Sequence, residues 1–234
     1  MYKMIVSEFD NVLIDQEEAI STEAILEISR IRKAGILFCI MTSKSLSEIL
    51  EYNRDFPFID YIICFNGACI YDVHNKKCIY QKKILFSIIK PIMKLLSNYE
   101  VRCFTANEVV SNPLEKKEDI YKMSVKTHDE KDLKFLKEKL LDFDINIRES
   151  FVDSEIYVEI IMGNVSKLDA LLKLCNKKKI DLNHVCTIGG EKEIMGTCGF
   201  SVSVNNSPAT IKENAAFVTQ DNYSYGVAEF LKTL

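Results

Sequence analysis

The chain has 234 residues, enough for one large domain or two small ones, and its 47% hydrophobic and 27% charged residues can furnish a real core. A formal net charge of -4 disfavours nucleic acid as the main partner, because a phosphate backbone demands a basic face. Apolar stretches such as Ala34 to Met41 are far too short to span a bilayer, and Met1-Tyr2-Lys3 leads at once into a strand pattern, so the expected location is the cytoplasm.

The first third alternates strand and helix. "MIVSEF", residues 4–9, reads as a strand that delivers two acids, Glu8 and Asp10; alternate residues of a strand point the same way, so both carboxylates are expected to emerge together at its end. A helix follows over 22–34, with Ile25, Leu26, Ile28 and Ile31 at helical spacing, a cap at Ser21 or Thr22, and Gly35 as its stop. "ILFCIMT" is a buried strand and 45–52 a helix. "YIICFNGACIYD" gives a strand, a turn at Asn66-Gly67 and a returning strand, and "KKCIYQ" completes the hairpin. Strands separated by helices imply a mostly parallel sheet covered on both faces.

The middle changes character. A helix over 86–98 places Phe86, Ile89, Ile92, Met93 and Leu96 on one side, with Pro91 near its first turn or kinking it. Strand 100–105, a polar stretch 107–119, strand 120–126, helix 130–142 and strands near 145–150 and 155–162 suggest an α+β unit with an antiparallel sheet. The alternating pattern then resumes: helix 165–178, strand "HVCTIGG", a short helix or turn, strands "FSVSV" and "AAFVT", and a final helix over 225–232. The expected architecture is an α/β domain, 1–81 plus 161–234, interrupted by an inserted α+β domain at 82–160.

The eight cysteines show no CxxC spacing and lie mostly in apolar runs, which reads as reduced core residues rather than zinc ligands or disulfides. His74, His128 and His184 are scattered in polar contexts and read as surface or loop residues.

Taken together, the opening strand with its acids, "FNGACIYD" before the insert, "VSKLDALLKLC" after it and the tail "VSVNNSPATIKENAAFVTQDNYSYGVAEFL" resemble the haloacid dehalogenase (HAD) superfamily, specifically Cof-type phosphatases with a type-IIB cap. The resemblance spans nearly the whole chain. It implies a HAD-like Rossmannoid core with an inserted cap over the site mouth, and hydrolysis of small phosphorylated metabolites through an aspartyl-phosphate. A second aspartate serves as acid and base, a threonine or serine and a lysine steady the phosphate, and magnesium offsets the crowded negative charge.

Carried over position by position, the resemblance puts Glu8 at the nucleophile, Asp10 at the acid/base, Thr42 at the second motif and Lys167 at the third. Asn66, Gly67, Ser43, Lys44 and Asn206 fall in the loops that border the family's ligand site, and Glu8, Asp10, Glu191 and Glu193 are the acids available to a magnesium ion. Several positions depart from the pattern. Glu8 carries one methylene more than aspartate, which displaces an attacking oxygen by about an ångström and costs on the order of 10²-fold in an oriented site. Asn11 tolerates the positive φ of the usual glycine, but Val12 cannot replace a hydroxyl donor. Ser43 and Lys44 stand where glycine and arginine are usual, and Leu168 where glycine is common. The metal-binding aspartate falls on Gly190, in a loop about three residues short.

Each retained residue also has an ordinary explanation. Asp10 can orient its loop, Thr42 can cap the helix that follows, and Lys167 can sit solvated at a helix start. Two function classes therefore stand at this point, a phosphatase with an altered, slow site or a binding or regulatory module on the same fold, and the several altered positions together favour lost or strongly reduced turnover. An unrelated nucleotide-binding protein is disfavoured by the absence of a glycine-rich phosphate loop.

Overall fold

The computed structural model describes residues 1–55, 57–116, 118–152 and 155–234. In chain order the elements are β1 (Met4–Glu8), α1 (Thr22–Lys33), β2 (Leu37–Met41), α2 (Leu46–Asp55), β3 (Tyr61–Cys64), β4 (Cys69–Asp72) and β5 (Lys77–Gln81). There follow α3 (Phe86–Leu95), β6 (Val101–Phe104), β7 (Val109–Val110), α4 (Pro113–Lys116), β8 (Lys122–Lys126), α5 (Glu130–Leu140), β9 (Ile145–Val152) and β10 (Glu155–Met162). The chain closes with α6 (Lys167–Lys178), β11 (Val185–Ile188), α7 (Lys192–Thr197), β12 (Phe200–Ser203), α8 (Ala209–Lys212), β13 (Phe217–Val218) and α9 (Tyr223–Leu231). The short β7, α4 and α8 lie in polar stretches where no periodicity announces them.

Among the described residues two sheets form. The larger runs β13-β12-β11-β1-β2-β3-β4-β5; its first six strands are parallel, and β4 and β5 are antiparallel additions that end in the edge strand β5. The smaller, β7-β6-β8-β10-β9, is antiparallel throughout. An α/β sheet interrupted by an α+β insert is thus the observed fold.

Local chemistry explains the boundaries. Ser21 caps α1 by accepting from the Ala24 N–H at 3.2 Å, and Gly35 leaves the helix at φ 88°. Ser45 and Glu48 exchange hydrogen bonds at the start of α2, a reciprocal capping box, so the helix is capped by Ser45 and not by Thr42. Ala24, Ile28 and Ile31 form the buried stripe of α1, while Leu26 is 64% exposed: one residue of the expected run falls on the solvent side of the helical wheel. In α3 the buried stripe is Ile89, Ile92 and Leu96; Phe86, on its first turn, is largely exposed, and Pro91 sits mid-helix. His74 and His128 are exposed and His184 partly so, while Cys39, Cys64, Cys69, Cys103, Cys175 and Cys186 are buried as free thiols.

Each face of the larger sheet has its own apolar layer. Ile5, Phe38, Ile40 and Ile62 meet α1 and α9 on one side; Met4, Val6, Cys39 and Ile63 meet α6 on the other. The insert buries Val101, Cys103, Met123, Val125, Val158 and Ile160 beneath α3 and α5. Its opposite sheet face joins the main core through Phe104, Tyr121 and Ile161, and Tyr121 stacks on Phe65 at 5.1 Å between ring centroids. The covered face of the insert holds its own core together; the other face looks at the parallel sheet.

Candidate functional site

The carboxyl ends of the parallel strands gather at one edge, the usual place for a ligand in an open α/β sheet. Register shows why. Glu8 pairs with Met41, so the loops after β1 and β2 start side by side; Ser7 pairs with Ile188, which brings Gly189 and Gly190 alongside; Met41 pairs with Ile63, which brings in Asn66.

Glu8 shares a strand face with Met4 and Val6 and therefore points toward α6, where Lys167 occupies the first helical position. The Lys167 ammonium donates to both Glu8 oxygens, at 3.0 and 2.8 Å. Ser166 caps α6 through the Asp169 N–H, which fixes where that lysine begins. Lys167 is buried, not solvated, so the ordinary reading of a lysine at a helix start fails here. Burial pushes the Glu8 carboxyl above its ordinary range; Lys167 pulls it down, and Asp10 and Glu191 push it up again.

Asp10 takes different partners. The Thr42 hydroxyl donates to it at 3.1 Å, and the Lys44 ammonium lies 3.5 Å from its other oxygen. Thr42 Oγ1 in turn accepts from the Lys44 N–H, so threonine and lysine form one small turn against the aspartate. Lys44 also reaches Glu18 at 3.4 Å. Asn11 adopts φ 58°, the left-handed conformation expected of it, and Val12 is buried against Gly189, where a Cβ would stand 2.6 Å from its Cγ2.

The loop after β11 departs most from a metal site. Gly190 has no side-chain donor and sits at φ 99°; a Cβ there would have room, 3.6 Å from Met41 Cε, but the backbone conformation is one that L residues rarely adopt. Glu191 pairs with Arg148 of β9, and the same carboxylate oxygen lies 4.0 Å from Lys167 Nζ. Glu193 is exposed on α7 and, among the described residues, joins no cluster of metal-ligating side chains. No set of three or more His, Cys, Asp or Glu side chains among the described residues is grouped as metal ligands would be. The donor set therefore does not fit a divalent ion: one expected ligand is a glycine and both first-strand acids hold cations.

The remaining candidates lie around this centre. Asn206 binds the Asn11 carbonyl and accepts from the Tyr223 N–H, tying two loops beside a cavity of about 140 Å³ lined by Asp10, Val12, Gly189 and Gly190. Asn66, at φ 56° and buried, donates to Glu159 of β10 at 2.7 Å. Gly67 is held by contact: a Cβ would stand 2.2 Å from the Ser166 carbonyl oxygen. Ser43 contributes its carbonyl, which accepts from the Lys122 ammonium at 2.9 Å.

Three residues at the centre were not anticipated: Lys122, Arg148 and Glu159, all from the insert. Pairing places Phe104 opposite Lys122, Ser124 opposite Glu159 and Glu159 opposite Arg148, so these side chains share the open face of the smaller sheet. Lys122 and Glu159 form a buried ion pair at 2.9 Å, with the ammonium 4.5 Å from the centroid of the Phe104 ring. The available signal was a single charge inside an apolar strand, Glu159 between Val158 and Ile160.

Comparison with known proteins bears on the family and the fold. The family model of haloacid dehalogenase-like hydrolases matches residues 5–113 and 104–231. A phosphoglycolate phosphatase of Saccharolobus solfataricus is 24% identical, over all of this chain and 96% of its own. A haloacid dehalogenase-like hydrolase from Bacteroides thetaiotaomicron superposes with a TM-score of 0.87 at 18% identity, covering 100% and 99% of the two chains. A sugar phosphatase of HAD subclass IIB superposes with a TM-score of 0.80 at 14% identity, covering 99% and 98%. With its parallel sheet, its inserted antiparallel unit and the family match along nearly its whole length, the chain belongs to the haloacid dehalogenase-like hydrolases.

Proposed function

We propose that the chain retains a scaffold for binding a small phosphorylated metabolite, while the family's magnesium-dependent turnover is lost or very weak. The cap is taken as 82–160 and the core as 1–81 with 161–234. The observation that carries the reading is the occupancy of the two first-strand acids: Glu8 lies in a bidentate pair with Lys167, Asp10 is held by Thr42 and Lys44, and Gly190 supplies no third carboxylate. An ion placed there would meet ammonium groups in place of free anions. The groups that would hold a phosphoryl oxygen, the Thr42 hydroxyl and the two ammoniums, are kept. Phosphate recognition and metal chemistry have thus come apart.

The test is hydrolysis of p-nitrophenyl phosphate and of sugar phosphates, with and without magnesium. No turnover above background is expected. A rate typical of the family that Glu8→Gln abolishes would overturn the proposal in favour of an atypical phosphatase working through Glu8 and Asp10. The intact Thr42–Asp10 hydrogen bond is what favours that second reading.

A further inference from the structure

Arg148 is a cap side chain that reaches the core loop after β11. Its guanidinium pairs with Glu191, and the paired oxygen also faces Lys167 at 4.0 Å. One carboxylate oxygen thus lies between a cation of the cap and a cation of the core. Resting on the metal-free reading above, we propose that this position is an anion seat: Glu191 fills it in the resting chain, and the phosphoryl group of a ligand displaces Glu191 and is held by Arg148 together with Lys167.

Three observations carry this. First, every cation at the centre already faces a carboxylate: Lys44 faces Asp10 and Glu18, Lys167 faces Glu8 and Glu191, and Arg148 faces Glu191. A dianion that simply joined them would add two uncompensated negative charges, whereas one that replaces Glu191 adds only one and takes over the cations that Glu191 held. Second, Glu191 is the N-cap residue of α7, yet its side chain makes no cap hydrogen bond, so the helix does not depend on where that carboxylate points. Third, the Arg148 and Glu191 side chains are 26% and 34% exposed, so the glutamate can turn out to water without stranding a buried charge. Arginine also suits the role, since its planar fork meets two phosphate oxygens at once.

The step is ligand exchange, with no bond made or broken. Calorimetric titration of the full chain with inorganic phosphate, in the presence of EDTA, tests it. Glu191→Gln is expected to bind phosphate about tenfold more tightly than the unmodified chain, Arg148→Gln about tenfold more weakly, each step being 1.4 kcal/mol. Arg148→Lys, which keeps the charge without the fork, is expected to fall between the Gln variant and the parent. Because both residues are partly exposed, urea midpoints close to the parent's are expected for all three. Affinity unchanged or weakened in Glu191→Gln, or unchanged in Arg148→Gln, overturns the proposal. Magnesium-dependent turnover by the parent chain would defeat the preceding reading without altering this comparison, since the titration excludes metal.

Discussion

Lys122–Glu159 and Arg148–Glu191 are both ion pairs at the face where the cap meets the core, yet water reaches only one of them. The side chains of the first are 6% and 9% exposed, and their remaining hydrogen-bonding capacity is spent on Ser43 and Asn66, in two loops of the site. The second pair is partly open to solvent and, among the described residues, is joined only by the approach of Lys167. A buried pair is expensive to break because one charge is left stranded, whereas a half-exposed pair exchanges its partner for water at little loss. The first pair therefore fixes the cap in register with the loops, and the second is free to respond to what enters.

Removing one partner of the sealed pair is the strongest test. Lys122→Ala is expected to cost about 3–5 kcal/mol in urea unfolding, because Glu159 remains buried with only Asn66 to satisfy it. A loss under about 1 kcal/mol would erase the distinction between the two pairs.

Asp72, at the end of β4 and away from the cap, supplies an intermediate reference. Burial pushes its carboxyl up, but hydrogen bonds from the Asn75 N–H and side-chain amide, both at 2.9 Å, outweigh that and hold it below its ordinary 3.8. A depressed folded-state value favours folding above 3.8, and the contribution is lost as pH falls through the folded value. Asp72→Asn is accordingly expected to cost about 1–2 kcal/mol near neutrality. The gap to the parent should close in acid, read from urea midpoints measured across pH.

Arg148→Gln is expected to have the smallest effect, under about 1 kcal/mol by the same unfolding measurement. A loss as large as that of Lys122→Ala would make Arg148–Glu191 a structural clamp and would contradict its role as an exchangeable contact.

Much of the fold was legible because its signals are local. The strand at Met4, the Ser21 cap, the glycine stop at 35 and the positive φ at Asn11 each depend on residues within a turn of one another. The site was legible in part. Glu8, Asp10, Thr42 and Lys167 were named as candidates through the family resemblance, and the structure sets Lys167 against Glu8 and Thr42 against Asp10. What residue patterns did not reveal is who pairs with whom. Lys122 meets Ser43 across 79 residues, Asn66 meets Glu159 across 93 and Arg148 meets Glu191 across 43, and no local periodicity encodes such distances. Leu26 and Phe86 make the complementary point: helical spacing assigns a stripe, but the neighbouring element decides which edge of it is covered.

The edge of the larger sheet carries a consequence for solubility. Among the described residues β5 ends the sheet, with one row of backbone donors and acceptors facing no strand, the kind of rim onto which another chain's strand can add. Its apolar centre, Cys78-Ile79-Tyr80, is bracketed by Lys76 and Lys77 before it and Lys82 and Lys83 after it. Stacking such a strand against a copy of itself would crowd ammonium groups together, so the lysines act as gatekeepers against fibre-like association. The opposite rim, β13, needs no such guard, because two residues offer too little template to recruit a neighbour.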